Sequence, residues 1–97
     1  MTLDQYLNSP GALTVAQLRA AIGVKSDAQI RQWRYGYADR RPSPANCAAI
    51  ERATLGAVTC EDLRPDLTWT RIKDRSWPGR RGRPVHDVSL DLTPEAA

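Results

Sequence analysis

A chain of 97 residues, 41% of them hydrophobic, 26% charged and with a formal charge of +3, can build one small core but not an enclosed substrate cavity. Its N-terminus has neither a charged leader with an apolar run nor a stretch long enough to span a bilayer, which points to a cytoplasmic protein. Two cysteines and one histidine give no disulfide framework and no metal-ligand spacing, and no paired carboxylates, Cys/His dyad or phosphate-binding glycine loop marks an enzyme, so neither metal nor cofactor is expected.

The charge is unevenly spread. Between residues 25 and 41, Lys25, Arg31, Arg34, Arg40 and Arg41 stand against Asp27 and Asp39; between 71 and 83, Arg71, Lys73, Arg75, Arg80, Arg81 and Arg83 stand against Asp74 alone. Two separate basic blocks in so short a chain suggest a nucleic-acid partner.

At the start, Thr2 and Gln5 have the spacing of a capping box, and Leu3, Tyr6 and Leu7 give a short helix one apolar edge. Asn8, Ser9, Pro10 and Gly11 stop it. The pattern then repeats, with Thr14 and Gln17 forming a second box and Leu13 and Leu18 placed as a hydrophobic staple. Val15, Leu18 and Ile22 form an apolar stripe, and Gly23 ends the helix.

Ser26 as cap, Gln29 three residues on and Gly36 beyond the last turn predict a helix from Asp27 to Tyr35. Ile30 and Trp33 are its large apolar residues and should face a core. Asp27, Ala28, Arg31, Gln32, Arg34 and Tyr35 are then left facing outward. Arginine and glutamine bridge guanine and adenine edges in the major groove through paired hydrogen bonds. Two helices, a tight turn and a basic flank occur here in the order that a helix-turn-helix requires. Asp27 suits the positive end of the helix dipole but would repel a phosphate placed there.

The following loop, YGYADRRPSPANC, carries Arg40 and Arg41, which can hold a phosphate backbone without reading sequence. Ser43 and Pro44 open another helix, with Cys47, Ile50 and Thr54 on one face and Gly56 at its end. Thr59 and Asp62 cap one more turn, CEDL, and Leu67 and Trp69 should close the bundle. Both cysteines read as buried structural residues.

The run CAAIERATLGAVTCEDLRPDLTW, Cys47 to Trp69, resembles the C-terminal half of the YdaS-like, Cro-type helix-turn-helix proteins of prophages. IGV at residues 22 to 24 and the Ile30/Trp33 pair resemble the helix-turn-helix half, so the likeness spans residues 14 to 70. It implies an all-α, compact lambda-repressor-like bundle of about five short helices that binds operator DNA with the helix from Asp27 to Tyr35 in the major groove. By position, Ser26, Asp27, Ala28, Arg31, Gln32 and Tyr35 match residues that face DNA in that fold. With Lys25, Gln29, Arg34, Arg40 and Arg41 they make the candidate DNA-binding set. The chain departs from the family in a turn one residue longer at GVKSDAQ, a loop two residues longer between Gly36 and Cys47, and Arg19 where a small residue is usual.

Residues 1 to 70 are therefore read as the DNA-binding domain and 71 to 97 as a basic, then acidic, flexible C-terminal tail. RIKDRSWPGRRGRP has too little apolar content for a core. Its Arg81-Gly82-Arg83-Pro84 resembles the centre of an AT-hook, which makes Arg80, Arg81 and Arg83 a candidate minor-groove arm; a plain basic linker touching phosphates reads equally well. In VHDVSLDL, Val88, Leu90 and Leu92 alternate with polar residues. That describes either one short strand pairing with its twin across a two-fold axis or an unstructured acidic end. The preferred function is sequence-specific binding of a double-stranded operator by a Cro-like repressor, dimeric on its DNA. The alternative is an antitoxin-like or regulator-binding interaction module with a protein partner encoded nearby.

Overall fold

The computed structural model describes residues 1–88. Five helices come first: α1 Leu3–Leu7, α2 Val15–Ile22, α3 Asp27–Tyr35, α4 Pro44–Ala53 and α5 Cys60–Leu63. Two antiparallel strands follow, β1 Trp69–Ile72 and β2 Arg83–His86, in the register Trp69 opposite His86 and Ile72 opposite Arg83. No helix of the described residues is long and apolar enough to cross a membrane.

Local capping explains why α1, α2, α4 and α5 begin where they do. Thr2 with Gln5, Thr14 with Gln17 and Thr59 with Asp62 each form a reciprocal box, in which the threonine oxygen accepts one backbone N–H and the side chain three residues on accepts another. The Ser43 hydroxyl accepts from Asn46, and Pro44 occupies the first helical position, where its missing N–H costs nothing. Gly23 ends α2 at φ 80°, a left-handed conformation that any side chain would resist.

The core is built from Leu3, Tyr6, Leu18, Ile30, Ile50 and Val58, with Leu13, Val15, Ile22, Trp33 and Leu63 packed partly buried against it. Ile30 and Trp33 face inward, as their spacing required. The Tyr6 hydroxyl accepts the Leu13 N–H at 3.0 Å, fixing the chain's entry into α2. Thr54 is buried but satisfied: its hydroxyl donates to the Ile50 carbonyl at 2.9 Å and accepts from the Val58 N–H at 3.2 Å. Cys47 and Cys60 are buried free thiols. Burial pushes Cys47 up to about 12 and Cys60 further, so neither is a thiolate at neutral pH.

The C-terminal region is more ordered than its composition predicts. Residues 71–83 lie within a hairpin rather than a loose tail, and the expected domain boundary at residue 70 falls inside β1. Three contacts account for it. Arg71 is not solvated but paired with Glu51 of α4 and Glu61 of α5, and it also donates to the Gly82 carbonyl at 3.2 Å. Trp77 is buried, 9% exposed, beneath the Arg52 guanidinium. Gly82, at φ 87°, lies so close to β1 that a Cβ there would sit 2.5 Å from the Ile72 carbonyl oxygen. Among the described residues the strands fall at 69–72 and 83–86, so β2 takes in only the first two residues of the alternating stretch, Val85 and His86. Val88 is exposed just beyond β2, and Leu90 and Leu92 lie outside the described residues.

Candidate nucleic-acid interface

Helices α2 and α3 pack together across the turn at Gly23, and α1 packs against α3 from behind. This leaves the face of α3 that bears Ala28, Arg31, Gln32 and Tyr35 pointing outward. Ala28 and Arg31 are exposed, Gln32 is half-buried, and Tyr35 is 66% exposed. Lys25 and Ser26 are exposed ahead of the helix, whereas Gln29 is half-buried on its flank. Ser26 occupies the cap position in extended conformation, but its side chain makes no capping hydrogen bond. Its hydroxyl is therefore not committed to the helix start, in contrast to Thr2, Thr14 and Thr59.

Two ion pairs set the position of α3. Arg19 of α2 donates from Nε to Asp27 Oδ1 at 2.8 Å, a pair in which each side chain is 36% exposed. Asp27 thus has a cation of its own, and Arg19 has a role that its position in α2 did not reveal. At the other end, Arg34 Nε donates to Asp4 Oδ1 at 2.7 Å and its Nη2 to Asn8 Oδ1 at 2.8 Å, while its guanidinium lies 5.1 Å from the centre of the Tyr35 ring. With only 17% of its side chain exposed, Arg34 joins α3 to α1 instead of standing free for a phosphate. The cause is the packing of α1, which brings Asp4 across 30 residues of sequence.

The loop after α3 behaves similarly. Arg41 pairs with Asp66 at 3.2 Å, and Asp66 also takes both Nε and Nη2 of Arg64, whose hydrogen bonds hold that carboxyl down at about 2. Both members of the Arg41 pair are nearly half exposed, so a phosphate can compete for Arg41. Arg40 is exposed and has no ion pair among the described residues. Lys25, Arg31 and Arg40 are consequently the uncommitted cations around α3, with the exposed Asp39 opposing them.

A cleft of about 270 Å³ runs between Arg31, Gln32, Tyr35 and Tyr37, and its walls are almost wholly apolar. Tyr37 belongs to the turn after α3, in which Gly36, Ala38 and Asp39 all have positive φ, 62°, 52° and 57°. Left-handed backbone at Ala38 costs roughly 1 kcal/mol, and the turn sets the 70%-exposed Tyr37 beside Tyr35. Tyr37 thereby joins the surface that the helical pattern assigned to residues up to Tyr35, a membership that no periodicity could reveal.

Of the proposed minor-groove arm, Arg80 is exposed, Arg81 pairs with Glu61 at 3.3 Å and Arg83 with Asp74 at 3.2 Å. Gly82 and Pro84 are buried in the hairpin. An AT-hook lies extended in the groove, whereas this segment is folded onto its own domain.

The chain resembles known proteins over its helical part. It is 47% identical over 53 residues to the YdaS protein of Escherichia coli (strain K12), described as a candidate transcriptional regulator. That match covers 54% of this chain and 50% of the relative, so the chain spans about half the length of that protein. It superposes on the Cro protein of the candidate prophage element Xfaso 1 in Xylella fastidiosa strain Ann-1 with a TM-score of 0.52 and 38% identity, covering 70% of this chain and 97% of that one. Residues 11–72, which include α2 to α5 and all of β1, match the model of the family described as bacterial toxin YdaS, and the chain belongs to that family.

Proposed function

We propose that this protein is a Cro-like transcriptional regulator that binds double-stranded operator DNA through the outer face of α3. The observation that carries the reading is the state of that face: Arg31 and Gln32 are uncommitted, while the charges around them, Asp27, Arg34 and Arg41, are each engaged within the protein. A helix tied at both ends presents its readers at a fixed angle, which is what base readout demands of a scaffold. Likeness to a Cro protein and to a transcriptional regulator points the same way.

In this reading Arg31 reads guanine and Gln32 reads adenine in the major groove. Lys25, Ser26 and Arg40 hold the backbone, while Arg19 and Arg34 position the helix. Repression as a dimer on a two-fold operator, in the cytoplasm, is the regulatory form that fits a helix-turn-helix of this size.

Fluorescence anisotropy with the duplex upstream of the protein's own gene and a shuffled duplex, each at low and near-physiological salt, tests the proposal. Tight binding to the first alone at the higher salt is the expected result. Equal binding to both that vanishes with salt would refute sequence reading at that site. Arg31→Ala should lose about 1–3 kcal/mol on the specific duplex and relax base preference, whereas Arg40→Ala should weaken all duplexes equally.

A further inference from the structure

We propose that the hairpin loop and the end of α4 form a second nucleic-acid surface, one that holds a phosphate backbone without reading sequence. The proposal rests on the DNA-binding reading of the chain, but it concerns residues remote in the fold from α3. The hairpin packs on α4, which packs on α2, which in turn carries α3.

The basic block of residues 71–83 divides into two sets once folded. Arg71, Arg81 and Arg83 are paired, with Glu51 and Glu61, with Glu61, and with Asp74 respectively. These contacts use Glu51, Glu61 and Asp74, and Asp74 also accepts the Ser76 N–H at 2.9 Å and its hydroxyl at 2.6 Å. Lys73, Arg75 and Arg80 remain, all exposed and with no carboxylate partner among the described residues. Arg52, exposed at the end of α4, adds a fourth cation with its guanidinium 5.9 Å from the Trp77 ring centre. Charge that composition spreads over a whole tail is thus left uncompensated at three positions of the hairpin loop and at the end of α4.

That loop is held in shape. Trp77 is buried beneath Arg52, the Trp77 N–H donates to the Asp74 carbonyl at 3.0 Å, and Gly82 meets the Ile72 backbone. The occupant follows from what the surface lacks. A protein interface centres on desolvated apolar anchors, aromatic residues above all, yet the aromatic residue here is buried; the exposed large aliphatics of this part of the chain are Leu55 just after α4, Ile72 at the end of β1 and Val88 beyond β2. Uncompensated cations without an exposed aromatic anchor suit a polyanion, which they bind by releasing condensed counterions.

The test uses the full chain carrying Lys73→Gln, Arg75→Gln and Arg80→Gln together, with a mixed-sequence duplex of about three helical turns titrated from low to near-physiological salt. The expected result is a dependence of log affinity on log salt shallower by about 2–3, since each lost phosphate contact removes about 0.9, with an unchanged melting temperature. Arg80→Gln alone should give about a third of that change, and the pair Arg75→Lys and Arg80→Lys should restore the slope. Wild-type slope and affinity in the folded triple variant would overturn the proposal, as would equal competition by polyglutamate, which would assign the surface to acidic protein. Arg31→Ala with Gln32→Ala, run in parallel on a duplex selected by the wild-type protein from a random pool, reports on α3 separately. Lost discrimination with the salt slope retained supports α3, and intact discrimination refutes α3 whatever the hairpin variant does. A wild-type protein that binds neither duplex would overturn both readings.

Discussion

Arg19 and Asp27 join the two helices of the helix-turn-helix: Arg19 Nε donates to Asp27 Oδ1 across the turn at 2.8 Å. An acid at the start of α3 is favourable to the helix dipole and unfavourable to an approaching phosphate. The arginine offsets the second effect without removing the first. Because each side chain is 36% exposed, the pair contributes at most about 1 kcal/mol to stability. Its larger effect should fall on binding. Arg19→Ala should weaken DNA binding several-fold with little change in melting temperature, and adding Asp27→Ala should recover part of the loss. A double-mutant cycle of anisotropy titrations reads this coupling, and strictly additive losses would contradict it.

Glu51 makes the opposite kind of pair. Only 3% exposed, it holds the two nitrogens of Arg71 and accepts the Cys60 N–H at 2.9 Å. Burial by itself would raise its carboxyl, but the hydrogen bonds from Arg71 and Cys60 outweigh burial and leave it below the usual carboxylate range. Glu51→Gln should cost about 3 kcal/mol and lower Tm by about 10 °C or more, measured by thermal unfolding at neutral pH.

The same depression gives a pH dependence with a definite sign. A carboxyl whose folded pKa lies below its unfolded one contributes stability that is complete above the unfolded value, about 4.3 for Glu, and disappears as pH falls through the folded value. Chemical denaturation at a series of acidic pH values should therefore show stability falling below about pH 4. The fall should be less steep in Glu51→Gln, with Asp66, held at about 2 by Arg64, contributing in both proteins. Parallel curves would remove Glu51 from the account.

The cleft between Tyr35 and Tyr37 is apolar, and the apolar group displayed in the major groove is the thymine methyl. Replacing operator thymines singly with uracil should reduce wild-type affinity by up to about 1 kcal/mol at one position or two. Tyr35→Ala should abolish that difference, and uracil tolerated everywhere would exclude a methyl from the cleft.

Ala38 is left-handed at φ 52°. Ala38→Gly should relieve strain and stabilise the fold by about 0.5–1 kcal/mol while loosening the placement of Tyr37. The expected signature is a higher Tm together with weaker DNA binding; a change of the same sign in both would show that the turn does not position Tyr37.

Features set by neighbours in sequence were legible from it. The boxes at Thr2, Thr14 and Thr59 depend on residues three apart, and the inward Ile30/Trp33 pair depends on helical period. Ser26 shows the limit of such reasoning: its spacing to Gln29 matches the others, yet its hydroxyl makes no capping bond. Arg34 lies on the outward arc of a helical wheel, but Asp4 captures it once α1 packs. In the same way, Arg71 reads as solvated until α4 and α5 bring Glu51 and Glu61 to it from 20 and 10 residues upstream. Composition counts charges along the chain, whereas folding decides which of them meet.

The buried contact between Glu51 and Arg71 also bears on how this protein can be divided. A boundary at residue 70, the natural place to cut by composition, removes the counterion of a carboxylate that is 3% exposed inside the helical bundle. The helical part and the hairpin are therefore not modules that can be exchanged between relatives by joining sequences at that point. A chimera would have to carry residues 51, 61 and 71 together as a matched set, and a fragment ending before Arg71 should fold only when acid or substitution neutralises Glu51.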